Sequence, residues 1–265
     1  MFINLKKIKI IKSIKLKNYK LVPIYFVIFI IITLTAYLST PIFFNYEKLN
    51  KKIQNKIYQE FNLKSSINGK IKYVFWPSPR IKIQNFVIKD FINEKKTLGK
   101  VENLIIKLPL KNLMNIEKGN FKEAIINNVE INYKIDRSKE YINFFENKFN
   151  SKNLIVNNAK LNFFDAKDKY ILALDNINLR YNPDQNQSTT ILKGNILGDQ
   201  LYANLKNKKT KSNNSKIIDI KILNLGFAAK INLPEKTSNN NLVGSIYSSF
   251  KNNKIILSFI FEDNA

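Results

Sequence analysis

Ile125-Ile126-Asn127-Asn128-Val129-Glu130-Ile131-Asn132-Tyr133-Lys134-Ile135 alternates between apolar and polar side chains over most of its length. Ile125, Val129, Ile131, Tyr133 and Ile135 share one parity, opposed by Asn128, Glu130, Asn132 and Lys134. A period of two is the signature of a strand with one apolar and one wet face. The same pattern returns at Ile155, Ala159, Leu161 and Phe163, set against Asn158, Lys160 and Asn162. Residues 153–178 read as an approximate restatement of 125–136 followed by another strand pair, which suits an architecture lengthened by adding strand units.

Toward the C-terminus the spacing predicts further strands over 170–181, 189–197, 199–206, 216–225, 227–233, 242–250 and 254–261. Turn signals separate them at Asn182-Pro183-Asp184, Gly198-Asp199, the Lys/Asn/Ser run 206–215, Leu233-Pro234-Glu235 and Asn252-Asn253. The chain stops at Glu262-Asp263-Asn264-Ala265, straight after a strong strand, which reads as a truncated or fragmentary member of a longer type. Toward the N-terminus, Ile71, Tyr73 and Phe75 alternate with Lys70, Lys72 and Val74. Trp76-Pro77-Ser78-Pro79 then breaks the strand, and Trp76 beside Pro77 is expected as a packed corner. Ile81 and Ile83 resume the alternation, and the change of phase to Phe86 and Ile88 predicts a bulge near Gln84-Asn85. Short helical interruptions are expected at 109–117 and 138–149. About ten strands without long interleaved helices exclude a doubly wound sheet. A sandwich, a barrel or one curved antiparallel sheet folded on its apolar face remains.

Ahead of the strands, Leu49, Ile53, Ile57 and Phe61 recur every four residues, giving an amphipathic helix over 45–62 that packs on the adjoining sheet. Leu21 to Tyr46 carries no charge and is rich in branched aliphatic and aromatic residues. As a helix, residues 21–44 measure about 36 Å, enough for a hydrocarbon core of about 30 Å with some tilt. Ala36, Ser39 and Thr40 fall out of register for signal-peptide cleavage, so an uncleaved anchor is expected. The basic tail 1–20 holds Lys6, Lys7, Lys9, Lys12, Lys15, Lys17 and Lys20 and no acid. By the positive-inside rule it stays cytoplasmic, so residues 45–265 form one domain outside the inner membrane.

The 265 residues carry a net charge of +24, with no Cys, no His and one Trp. Disulfide scaffolds, cysteine nucleophiles, Ser-His-Asp triads and Cys/His zinc sites are thereby excluded. Lys, Asn and Ile together fill 122 positions, and A/T-rich codons spell all three. Only Arg80, Arg137 and Arg180 supply the guanidinium fork that base readout favours, so no nucleic-acid partner is expected. Asp165, Asp168, Glu130 and Asp136 sit amid lysines and turns and read as surface charges, with no cofactor and no enzymatic site expected.

The order of these elements resembles the N-terminal region of AsmA-like proteins. The resemblance rests on the anchor and amphipathic helix, then Ile67-Asn68-Gly69-Lys70-Ile71. It continues through Trp76-Pro77-Ser78-Pro79-Arg80-Ile81-Lys82-Ile83 with Phe86-Val87-Ile88-Lys89-Asp90, and Leu98-Gly99-Lys100-Val101-Glu102-Asn103-Leu104-Ile105-Ile106. Leu110-Lys111-Asn112-Leu113-Met114 and Ala124-Ile125-Ile126-Asn127-Asn128-Val129-Glu130-Ile131 complete it, so that it covers about residues 1–180. Asn127-Asn128 stand where the family often has a less polar pair, and the chain is shorter than typical members. The resemblance implies a single-pass inner-membrane protein of a Gram-negative envelope, its bulk periplasmic, linked to outer-membrane assembly proteins and to phospholipid movement. It also implies an apolar β groove lined by Ile71, Tyr73, Phe75, Val129, Ile131, Tyr133, Ile155, Leu161 and Phe163. The same side chains equally describe a dry core, in which case the chain is a membrane-tethered structural or adaptor module binding envelope proteins.

Overall fold

The computed structural model describes residues 22–90, 95–111, 113, 121–141, 152–184, 187–209, 214–234 and 242–261. The orienting lysines Lys6, Lys7, Lys9, Lys12, Lys15, Lys17 and Lys20 lie outside them. The chain divides into two units, Met1–Phe44 and Asn45–Ala265. In the first, helix α1 (Val22–Ser39) continues into a 3-10 turn, Thr40–Phe43. Pro41 has no N–H to extend the α-helical ladder, so the tighter turn takes over. The hydroxyls of Thr33 and Thr35 donate to the carbonyls of Phe29 and Ile31, both at 2.8 Å. Both threonine hydroxyls are thereby satisfied within the helix itself, which suits an apolar surrounding. Val22–Phe43 is long and apolar enough to cross a membrane.

The second unit opens with helix α2 (Tyr46–Phe61). The Asn45 side chain accepts the N–H of Lys48 at 3.1 Å, and left-handed Asn62 closes the helix by donating its N–H to Tyr58 O at 2.7 Å. The predicted stripe faces inward: Ile53, Ile57 and Phe61 are buried and Leu49 half-buried. The strands follow as β1 (Ser65–Ile67), β2 (Ile71–Val74), β3 (Arg80–Lys89), β4 (Thr97–Lys107), β5 (Glu123–Lys134), β6 (Asn153–Phe164) and β7 (Tyr170–Asn182). They continue as β8 (Gln187–Ile196), β9 (Asp199–Lys209), β10 (Asn214–Ile222), β11 (Phe227–Pro234), β12 (Leu242–Phe250) and β13 (Asn253–Phe261). All thirteen belong to one open curved sheet in the order β1-β3-β4 and onward to β13, with β2 also on β3. It is therefore neither a sandwich nor a barrel.

Two expectations need correction. The sheet is mixed rather than antiparallel, because β5 and β6 run parallel, Ile125 opposite Ile155 and Ile131 opposite Leu161. A hairpin cannot join parallel neighbours. The 3-10 turn Ile135–Arg137 and the helical turn after it begin the return crossover; most of the helix expected at 138–149 lies outside the described residues. Arg137 grips Asp90 at the end of β3 through a two-pronged ion pair, at 2.8 and 3.0 Å. That contact pins the start of the crossover.

The second correction concerns parity. Asn85, Asn128, Asn158 and Asn176 all adopt left-handed backbone, with φ of 50°, 53°, 55° and 51°. Each inverts the pleat of its strand. Ile83 and Phe86 are both buried although three apart, and so are Ala124 and Val129, five apart. Ile125 and Ile155, expected with Val129 and Ala159, consequently pair on the opposite face. The predicted phase change at Gln84-Asn85 exists, but without an inserted residue. Gln84 still faces Asn103 and Phe86 faces Val101, and the β3–β4 register shifts only between Ile88 and Lys89. Asparagine is among the few non-glycine residues that tolerate this conformation.

The core sits between α2 and the apolar face of β1–β5. Tyr46 at the start of α2 stands near Tyr73 of β2, while Glu60 at its end pairs with Lys152, ahead of β6, at 3.1 Å. The helix thus crosses the strands. Phe61 packs on Phe121 with ring centroids 6.3 Å apart, and Ile81, Ile83, Ile106 and Leu113 are almost wholly enclosed. Each such side chain contributes on the order of 2 kcal/mol of burial.

Candidate functional site

The apolar face does not end where its helical cover ends. From β6 to β9 the register carries it on through Val156, Leu179, Leu192 and Ala203, which stand opposite one another in succession. Beyond, two parallel rows cross the remaining strands. Thr190, Leu205, Ile218, Ile231, Ile246 and Leu257 form one. Leu192, Ala203, Ile220, Ala229, Ser248 and Ile255 form the other. The opposite face at the same positions is mostly polar, as in the row Asn204, Asp219, Lys230 and Tyr247. Strict alternation over β8–β13 thus concentrates aliphatic side chains on one side of the sheet.

That side is unroofed. Among the described residues, the last enclosed apolar side chain on this face along the chain is Ile177 of β7. Leu192, Leu205, Ile218, Ile220, Ile222 and Ile231 are only half-buried, and Ile255 and Leu257 are exposed. No helix is found against these strands among the described residues, in contrast to β1 and β2.

The residues expected to line a groove divide among three environments. Ile71 and Tyr73 stand opposite Ile83 and Ile81 on the apolar face, half-buried, while Phe75 follows the end of β2. Val129 is 3% exposed and belongs to the core. Ile131, Tyr133, Leu161 and Phe163 share the apolar face and are half-buried, with the Tyr133 ring 5.4 Å from Phe163 and 4.7 Å from Tyr141. Ile155 lies on the other side. The structure therefore brings Val129, Ile131, Tyr133, Leu161 and Phe163 together and leaves Ile71 and Tyr73 three strands away. The aliphatic rows of β8–β12 were missed as site residues. Their alternation was visible, but nothing local in it says whether a covering layer follows.

On the wet face the left-handed asparagines produce a shallow trough of about 760 Å³, lined by Asn68, Asn85, Glu102, Asn128, Asn158 and Asn176 among others. Its polar groups are largely spent on one another. Asn128 donates to Glu102 at 2.6 Å, Asn158 to Asn128 at 2.9 Å, and Lys160 stands 3.7 Å from Asp175. Three of the four carboxylates considered earlier are similarly engaged. Glu130 accepts from Asn162 at 2.8 Å, and Asp165 accepts the backbone N–H of Lys167 and Lys169 at 2.9 and 2.8 Å. Asp168 pairs with Lys134, whose ammonium hydrogen bond lowers the carboxyl below its usual range and is itself held protonated to higher pH. No group of three or more metal-ligating side chains occurs among the described residues.

Burial raises the Tyr46 phenol well above its ordinary value, with nearby Tyr73 adding to the shift. Trp76, expected to pack as a corner, is instead 75% exposed. No protein-family model matches the chain, and no curated protein matches it.

Proposed function

We propose that the chain is a membrane-tethered lipid-handling protein of a bacterial envelope, in which the unroofed apolar face shields phospholipid acyl chains. One observation carries this reading. Six strands present largely aliphatic rows on one side with no described layer over them, while α2 lies against the start of the same sheet at β1 and β2. Apolar area left in water costs about 25 cal/mol per Å², and a contiguous patch of this kind marks an interaction surface. Acyl chains fit its two central rows because these are long and mostly aliphatic, with Thr190 and Ser248 as their hydrogen-bonding side chains. The apolar helix Val22–Phe43 supplies the tether, and the lysine block ahead of it favours a cytoplasmic N-terminus with the sheet in the periplasm. Kinship with AsmA-like proteins, and with it a part in outer-membrane assembly, belongs to the same proposal. Its support is the order of anchor, amphipathic helix and elongated sheet.

The test is lipid analysis of the full chain extracted with its surrounding membrane in polymer discs and then stripped of bulk lipid. Phospholipid retained in fixed proportion by the wild type, and lost by Ile220→Asp with the fold intact, supports the reading. No retained lipid in the wild type refutes it. The adaptor reading draws on a different observation. Ile255, Ile256 and Leu257 of β13 are 55%, 67% and 53% exposed, so both faces of that strand offer apolar contacts to a protein partner.

A further inference from the structure

Trp76 stands at a tip that shares its end of the sheet with a second exposed apolar residue and several lysines. The loop after β2 carries Phe75, half-buried, and Trp76, 75% exposed. The backbone N–H of Leu108 donates to Pro79 O at 2.9 Å, which brings the Pro109-Leu110-Lys111 turn beside that loop. Leu110 there is 55% exposed. Lys122 joins the same end, its N–H donating to Lys107 O at 3.0 Å. Lys72, Lys82, Lys111 and Lys122 are all exposed, whereas Glu123 of this end is occupied by Lys107 at 2.6 Å. Among the described residues, Glu47 in the first turn of α2, next to Tyr46, is a further acid.

Little chain separates the apolar segment from α2. Tyr46 follows the apolar segment Val22–Phe43 by three residues, a reach of about 10 Å. Tyr46 in turn stands near Tyr73, three residues before Trp76. An indole with an apolar body and one N–H donor, flanked by lysines, suits the headgroup region of a bilayer, where Trp is enriched and cations meet anionic lipid.

We infer that the Trp76–Leu110 tip docks on the surface of the bilayer crossed by the chain's own anchor, with Trp76 in the headgroup layer and Lys72, Lys111 and Lys122 on anionic phospholipid. The inference rests on the proposed tether and not on the lipid-shielding face. It assigns the start of the sheet to the membrane surface.

Trp76 is the sole tryptophan of the chain, so fluorescence excited at the red edge, beyond tyrosine absorption, reports it alone. The full chain is placed in nanodiscs containing anionic phosphatidylglycerol, and quenching by phospholipid brominated near the glycerol is compared with quenching by aqueous acrylamide. The inference expects blue-shifted emission, strong quenching by the brominated lipid and weak quenching by acrylamide. It also expects Lys72→Glu/Lys111→Glu/Lys122→Glu to shift emission to the red and reverse the two quenching strengths, with an unchanged far-ultraviolet spectrum. Red emission quenched by acrylamide alone, in a chain that remains in the disc, overturns the docking. A chain that leaves the disc overturns the tether instead.

Discussion

Asn158 donates its side-chain amide to Oδ1 of Asn128 at 2.9 Å, from thirty positions further along the chain, and both residues hold left-handed backbone. Asn157 to Asn127 at 2.8 Å and Asn162 to Asn132 at 3.1 Å repeat the same interval. The stretch 123–134 and its restatement at 153–164 are thus stacked in parallel register, asparagine on asparagine at these three positions. Stacked amides bond along the row while the left-handed positions invert both pleats together, so neither strand loses register to the other.

Substitution at Asn158 tests this directly. Alanine loses the amide bond, about 1 kcal/mol, and places a β-carbon in a conformation costing about 1–2 kcal/mol. Asn158→Ala should therefore destabilise by roughly 2–3 kcal/mol, while Asn158→Gly, which is at ease with positive φ, should cost about half as much. The shift in denaturant midpoint measures both. Equal losses would show that backbone conformation is not what the position selects for.

The Arg137–Asp90 fork predicts a sharper asymmetry. Asp90 is 6% exposed, so Arg137→Ala leaves a buried carboxylate without its guanidinium and should cost about 3 kcal/mol or more. Arg137→Lys should recover only part of that, because an ammonium cannot bond both oxygens in one plane. Thermal unfolding of the two variants beside the wild type distinguishes them, and an Arg137→Lys midpoint equal to wild type would count against the fork as the pin of the crossover.

Tyr46 sets an alkaline limit. Burial raises its folded pKa above that of the unfolded chain, so the stability it contributes is complete below the ordinary tyrosine value, about 10. That contribution falls as pH rises above the unfolded value toward the folded one, because only the unfolded chain then gains by ionising. Tyr46→Phe removes the titration and should move the midpoint of alkaline unfolding upward. Following absorbance of the phenolates and circular dichroism together gives the comparison; an unchanged or lower midpoint would contradict the assignment.

Much of the fold was legible because alternation is a backbone property. The boundaries expected for β7 to β13 fall within three residues of those found, and Asn45 and Asn62 close α2 where its apolar stripe begins and ends. Parity was harder. A reader counting in twos from Val129 places Ile125 inward, and only φ at Asn128 reveals otherwise. Strand direction was hidden for a similar reason, since β5 and β6 look like neighbours in a meander until the crossover after Ile135 is seen. The face was legible at Ile131, Tyr133, Leu161 and Phe163. Its open half was not, because alternation of Ile218, Ile220 and Ile222 with Asp219 and Lys221 reads the same under a lid or without one.

The central claim is that the unroofed face holds acyl chains, and neighbouring positions of β10 make its most direct test. Ile220 and Lys221 are adjacent in sequence and point to opposite sides of the sheet. A photoreactive benzophenone residue is placed at one position or the other in the full chain and irradiated in native membranes, and mass spectrometry reads the adducts. The account predicts phospholipid adducts at position 220 and none above background at position 221. Equal labelling at both positions, or protein adducts alone at position 220, would contradict it.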